Sequence, residues 1–242
     1  MSSLRGRSID TYYAEDPESL EDVLVMFIPT LKNMLWDAIR NDKHNVIPIW
    51  GEMGLGKTSL ALWTAYSILG NWDRVKKIVV FTFQEMRELI LNSVKYRKRL
   101  AVVIWDDIAV YFHRASIQYM HPDVKDFFSK YNFIRPYIAN LLITTPNIEF
   151  IPRQLLDFAT ADILVNKRGE GDFDRSKLLR KFQGNTRTFR KNYDGRDVTW
   201  KPLPDEIQIW YDEERHRHSL EAFMNPNEIF LYTMPPKKED ED

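Results

Sequence analysis

The sequence predicts a three-layer α/β fold, with about five mainly parallel strands in one sheet and helices on both of its faces. Three observations point there. Short runs rich in Val, Ile, Phe and Trp alternate with stretches whose apolar residues recur at helical spacing. Those runs are apolar nearly throughout rather than at every second residue, the pattern of strands buried on both faces of a parallel sheet. A glycine-rich loop, GEMGLGKT at 51–58, stands directly between one such run and a helix-like segment.

The elements follow in chain order. Residues 1–17 are polar and read as a flexible N-terminal arm. In 18–40 the apolar residues Leu20, Val23, Phe27, Leu31, Leu35 and Ile39 recur at helical spacing, with Pro29 expected to kink or divide the helix. After a turn at 41–44, the run 46–50 is a short buried strand despite Pro48. The loop comes next, then a helix over 59–69 that ends at Gly70. KIVVFTF at 77–83 is β-branched and aromatic, hence a strand, and 84–96 is helical. Residues 100–105 form another buried strand, closed by Asp106 and Asp107. A helix covers most of 123–140, with Pro136 breaking its regularity, and strands four and five lie at 141–145 and 161–165. Beyond these, a basic β-hairpin is expected over 176–193 about Gly184 and Asn185, then a helix over 204–224. The charged end, PPKKEDED at 235–242, is expected to be a disordered acidic tail. The reading is thus one domain over 18–234, with a core at about 45–166.

Composition narrows the chemistry. The 242 residues are 44% hydrophobic and 13% aromatic, ample for a buried core. There is no cysteine, which excludes disulfides and Cys-ligated zinc or iron–sulfur sites. Formal net charge is -1, so no overall basic field draws the chain to nucleic acid. The start, MSSLRGRSIDTYY, lacks the apolar core of a signal peptide, and no apolar run reaches the roughly 20 residues of a membrane helix. A soluble, cytoplasmic protein without membrane partners is expected.

The loop matches G-x-x-x-x-G-K-[ST] at Gly51, Gly56, Lys57 and Thr58. In that pattern backbone N–H groups turn inward and, with the next helix N-terminus, cradle phosphate. The cradle would be Gly51, Glu52, Met53, Gly54, Leu55, Gly56, Lys57, Thr58 and Ser59. Lys57 would reach the β- and γ-phosphates, and the Thr58 hydroxyl would ligate Mg2+. About fifty residues on, LAVVIWDD ends an apolar strand in two acids. Together these elements resemble the Walker A and Walker B motifs of the P-loop NTPases.

That resemblance implies a set of roles. Asp106 would hold Mg2+ directly or through water, and Asp107 would be the carboxylate that polarises the attacking water, a place where the family more often has Glu. An acid directly after the Walker B Asp marks the additional-strand division, which holds AAA+ and RecA-like ATPases and in which a further strand with a polar tip lies between the Walker strands. LLITTPN at 141–147 fits it, with Thr144, Thr145 or Asn147 as γ-phosphate sensor and Thr145 nearest the expected strand end. Such enzymes often borrow an arginine from a neighbouring subunit, for which Arg135, Arg153 and Arg168 are candidates and Arg153 and Arg168 are named. No N-K-x-D motif is present, which favours ATP over GTP. A ring-forming homo-oligomer, often a hexamer, is common in the division. The size and motif layout resemble small DNA-directed ATPases of archaeal viruses and plasmids.

What hydrolysis drives rests on one feature. Residues 167–191 hold nine Lys or Arg and three acids, a local net of +6, interleaved with or flanked by Phe173, Phe182, Phe189 and Tyr193. Basic residues with aromatics suit a DNA backbone or unpaired bases, with Arg180, Lys181, Arg187, Arg190 and Lys191 as contacts. The expected activity is therefore Mg2+-dependent ATP hydrolysis coupled to work on DNA: a motor, packaging enzyme, replication initiator or helicase loader. A protein-remodelling or signalling ATPase is the alternative, and a small-molecule kinase stands behind both. His216 and His218, two apart on a helix, are read as surface rather than as metal ligands.

Overall fold

A computed structural model describes residues 29–110, 122–174 and 197–224. The predicted arm at 1–17, the first part of the helix expected at 18–40, the hairpin at 176–193 and the tail at 235–242 lie outside the described residues.

The apolar run before the loop forms β1 (Asn45–Trp50), which is central to a seven-stranded sheet ordered β2-β3-β4-β1-β5-β6-β7. Its parallel neighbours are β4 (Asn140–Thr145) on one side and β5 (Asp162–Lys167) on the other. β3 (Val103–Trp105) lies parallel to β4, and β2 (Val79–Val80) to β3. The sequence-predicted further strand does fall between the loop strand and the Asp-Asp strand. The five expected parallel strands are β1–β5; beyond β5 the sheet turns antiparallel and gains β6 (Glu170–Asp174) and β7 (Asp197–Thr199).

Pro48 is tolerated in β1 for a local reason. The Val46 carbonyl accepts from the Thr160 N–H on the β5 side. Pro48, two residues on, turns its missing N–H to that same side, where β1 pairs with β5 only at Ile49 and Trp50.

Alternating residues of each strand feed two cores. On one face Ile47, Ile49, Ile104 and Leu142 pack with α1 (Pro29–Arg40), α2 (Lys57–Leu69) and α7 (Asp205–Met224). On the other, Val46, Val103, Trp105, Leu141 and Ile143 pack with α4 (Phe83–Tyr96) and α5 (Pro122–Ser129). The three layers are as predicted. Short helices α3 (Trp72–Lys76) and α6 (Arg153–Leu156) fill the connections.

Two boundaries differ from expectation. The strand expected over 77–83 shrinks to two residues because Thr82 caps α4: its hydroxyl accepts from the Glu85 N–H at 3.1 Å. Glu85 Oε2 returns the bond, accepting from the Phe81 N–H at 2.7 Å and the Thr82 N–H at 3.2 Å, a capping box. The helix expected over 123–140 stops at Ser129 and continues as 3-10 turns at Tyr131–Phe133 and Arg135–Tyr137, with Pro136 in the second. Pro29 is the first described residue of α1, so the kink expected there falls at the limit of the described residues.

At the N-terminal edge of the parallel strands the register of β1 and β4 is pinned by two buried amides. Asn45 Nδ2 donates to Asn140 Oδ1 at 2.9 Å and to the Met34 carbonyl at 3.1 Å. Asn140 Nδ2 donates to the carbonyls of Leu35 and Ala101, at 3.1 and 2.9 Å. One side chain thus ties α1, β4 and the chain entering β3. Asn140→Ala leaves an amide and two carbonyls of the core short of partners. It is expected to lower stability by about 2–4 kcal/mol, read as a lower urea midpoint at unchanged m-value.

Candidate functional site

Parallel strands all end at one edge, and the predicted motifs meet there. β1 runs into the glycine-rich loop, β3 into Asp106 and Asp107, and β4 into Thr144 and Thr145. The loop needs its glycines. Gly51 has φ +138°, and a Cβ there would sit 2.2 Å from the Val165 carbonyl oxygen of β5. Gly56 caps α2 at φ 92°, and a Cβ there would meet the Trp200 indole nitrogen at 3.3 Å. With the chain held so close, the first turn of α2 opens onto a cleft of about 590 Å3.

Met53, Gly54, Gly56, Lys57, Thr58 and Ser59 line that cleft. Gly51, Glu52 and Leu55 complete the loop behind it. Lys57 Nζ folds back on the loop, donating to the carbonyls of Gly51 at 2.9 Å and Glu52 at 2.8 Å. Burial lowers its pKa against the pull of Asp107 and Asp106, and Arg215 lowers it further.

Asp106 is the hub. It is 2% exposed. Its Oδ1 accepts from Thr58 Oγ1 and from Thr144 Oγ1, both at 2.7 Å, and its Oδ2 accepts from the Tyr211 hydroxyl at 2.8 Å. Thr144 Oγ1 in turn accepts from the Asp107 N–H at 2.8 Å. Asp107 sits at φ 45°, in the left-handed region that a non-glycine residue seldom occupies. Burial raises the Asp107 pKa and the neighbouring Asp106 adds to the rise, while Arg215 and Lys57 oppose it. The donor set at Thr58 and Asp106, a hydroxyl and a carboxylate, suits a hard dication such as Mg2+.

Among the three sensor candidates, the hydroxyl that meets the acids is that of Thr144. Thr145, the expected one, is fully buried and donates to the Asn147 carbonyl at 2.9 Å. Side chains alternate along β4, so neighbouring threonines point to opposite faces. Asn147 caps the following 3-10 turn, accepting from the Glu149 N–H. Of the arginines expected to reach a neighbouring subunit, Arg168 lines the cleft of its own chain, held there by the tight β5–β6 turn at Arg168–Gly169. Arg153 begins α6, exposed and outside the cleft. Arg135 stands over the Phe158 ring at 5.6 Å. Arg180, Lys181, Arg187, Arg190 and Lys191 lie outside the described residues.

Sequence reading missed the far wall. Trp200, after β7, and Tyr211 and Arg215, one helical turn apart on α7, all line the cleft. The spacing of Ile207, Tyr211 and His218 marks a buried helix face, but nothing in the sequence ties Tyr211 to Asp106, 105 residues upstream. His218, expected at the surface, is 5% exposed, stacks on Phe81 at 4.4 Å between ring centroids and sets Nε2 3.2 Å from Glu85 Oε1.

No family model matches the chain. It is 30% identical to the uncharacterized protein ORF286 of Acidianus two-tailed virus over 124 residues, 50% of this chain and 43% of that protein. The match thus spans less than half the length of that relative. It is 23% identical to the uncharacterized protein B-251 of Sulfolobus spindle-shape virus 1 over 182 residues, 69% of this chain and 72% of that protein. Among solved structures it is similar to the genome packaging NTPase B204 of Sulfolobus turreted icosahedral virus 2 in complex with AMPPCP. There the identity is 12% and the TM-score 0.38, over 67% of this chain and 99% of that one. A likeness that distant carries no argument about activity. Among the described residues, no helix is long and apolar enough to cross a membrane.

The raised Asp107 pKa has a consequence for stability. The folded state holds a proton on Asp107 above the ordinary carboxyl value of 3.8. It binds more protons than the unfolded state there, so this group costs stability as pH rises through that window. Asp107→Asn removes the buried charge. In urea titrations from pH 4 to 7 the variant is expected to gain on the wild type as pH rises, reaching its largest advantage at neutral pH.

Proposed function

We propose that the chain is a Mg2+-dependent ATPase whose hydrolysis is coupled to work on DNA. The observation that carries the ATPase reading is the convergence of a phosphate-type loop, a lysine and the Thr58–Asp106–Thr144 oxygens at one sheet edge. Thr58 and Asp106 would hold Mg2+, which when bound supplies charge neutralisation at the phosphates. The loop amides and the α2 N-terminus bind the phosphate chain. Lys57 exchanges the Gly51 and Glu52 carbonyls for β- and γ-phosphate oxygens.

Asp107 orients the attacking water and takes up its proton, which its raised pKa favours. The Asp side chain is one methylene shorter than the Glu that the resemblance implies. Two features compensate: the positive φ at Asp107 and the Thr144 bond to its N–H set where the carboxylate is aimed. Thr144, bonded to both acids, takes the sensor role in place of Thr145. Arg168 and Arg215 face the cleft from the same chain and supply positive charge where the γ-phosphate breaks away.

The DNA reading rests on the net +6 over 167–191 with its interleaved aromatics. Arg180, Lys181, Arg187, Arg190 and Lys191 are its proposed contacts, and a ring-forming homo-oligomer its proposed assembly. Lys57→Ala is expected to abolish nucleotide binding or turnover. Asp107→Asn should still bind ATP but turn it over about 100-fold or more slowly. Phosphate release measured with and without single- and double-stranded DNA tests the coupling, and stimulation lost at high salt is the expected result. Full turnover in Asp107→Asn removes the residue from its role. Stimulation by a protein but by no DNA moves the activity to protein remodelling.

A further inference from the structure

Tyr211 is a 105-residue neighbour of Asp106 with no part in the roles assigned above. Its hydroxyl donates to Asp106 Oδ2 at 2.8 Å and lies 3.2 Å from Thr58 Oγ1, which is itself 2.7 Å from Asp106 Oδ1. Mg2+ binds oxygen at about 2.0–2.1 Å in octahedral geometry, so adjacent ligand oxygens stand roughly 2.9 Å apart. The phenol oxygen lies at comparable distances from one oxygen of each proposed ligand, 2.8 Å from Asp106 Oδ2 and 3.2 Å from Thr58 Oγ1. The phenol therefore occupies hydrogen-bonding positions on both groups that would hold the cation.

We propose that α7 is a latch on the cation site: the Tyr211 hydroxyl and Mg2+ compete for Asp106 and Thr58, so that loading the cation frees α7 from this edge of the sheet. This rests on the Mg2+-nucleotide reading of the same cleft. The competition has a chemical basis. A protonated phenol is a hydrogen-bond donor and a poor ligand, and its proton occupies the carboxylate lone pair that a dication or its water would use.

α7 is built to transmit the change. Phe81, directly after β2, lies between Tyr211 at 6.3 Å and His218 at 4.4 Å, an aromatic stack that adds to the core packing of Ile207 on the same helix. His218 adds the Glu85 contact at the far end of that stack. Arg215, one turn from Tyr211, lines the cleft and acts electrostatically on Asp107 and Lys57. Release of Tyr211 removes the tie of α7 to Asp106 and loosens the turn that carries Arg215. Helix position thereby becomes a report of cation occupancy.

Tyr211→Phe keeps the ring stack and removes only the hydroxyl. Binding of the non-hydrolysable analogue AMPPNP is measured by calorimetry across a Mg2+ titration. The half-saturating Mg2+ concentration is expected to fall about tenfold in the variant, the worth of one hydrogen bond to a charged group. An unchanged or higher Mg2+ requirement overturns the latch. Amide exchange in the wild type gives a second reading. Residues 205–218 should exchange faster with AMPPNP and Mg2+ than with AMPPNP and EDTA, and equal or slower exchange again overturns it. If the wild type binds no AMPPNP in either condition, the nucleotide reading falls as well. Mg2+-dependent binding that is the same in Tyr211→Phe overturns the latch alone.

Discussion

A carboxylate buried at the end of β3 sets the terms for the rest of this site. Taking an ionised Asp out of water costs several kcal/mol unless its lone pairs are filled. Asp106 fills them with hydroxyls from three separate elements: Thr58 on α2, Thr144 on β4 and Tyr211 on α7. Each donor must arrive within 3 Å, so the loop, the neighbouring strand and the last described helix are all placed by one side chain. A neutral ring of donors satisfies the oxygens without supplying a countercharge at contact distance. That is why the cluster is both stable as it stands and suited to a dication. Asp107 is the secondary product of the same constraint. Its backbone is tied to Thr144, and it sits beside a charge that raises its own pKa.

The sheet makes this convergence possible because its strand order brings β4 between β1 and β3. With β1 and β3 adjacent, no strand would deliver a threonine from between the loop and the acids. The order is held at the opposite edge, where Asn45 and Asn140 exchange a hydrogen bond and capture carbonyls of α1 and of the chain entering β3. A one-residue slip of β4 there would turn Thr144 away from Asp106 and bring Thr145 toward it. Amides at one end thus decide which threonine serves at the other.

Much of this was legible in the sequence. The glycines, Lys57, Thr58 and the Asp-Asp pair form local patterns, and the apolar runs around them announce buried strands. The interposed strand was legible through its polar tip. Choosing Thr144 over Thr145 was not, because strand register is a pairing property and only the β1–β4 ladder determines it. Thr82 ended the expected strand early because the capping box with Glu85 outweighs the β-propensity of KIVVFTF. The hairpin of β5 and β6 was missed because its turn, Arg168–Gly169, is two residues of an unusual charge-rich run. Tyr211 and Arg215 lie on a helix whose pattern shows a buried face but not what it covers. A contact spanning more than a hundred residues leaves no local signature.

The geometry of β6 and β7 bears on how the cleft and the basic region communicate. The β5–β6 turn carries Arg168 at the cleft edge, and β6 then runs antiparallel, back to Asp174 opposite Asp162 at the start of β5. β7 pairs antiparallel with β6 from Asp197 and returns to Trp200 in the cleft. Asp174 and Asp197, the described residues that flank the basic segment, therefore lie toward the edge away from the phosphate-type loop. Five residues of strand separate the two edges, roughly 15 Å at about 3.3 Å per residue. Asp174 and Asp197 are thus joined to the cleft through two short, hydrogen-bonded strands. One ends in Trp200 against Gly56, and the other begins beside Arg168. Both strands reach the same side of the cleft, where the Trp200 N–H donates to the Gly169 carbonyl at 3.1 Å.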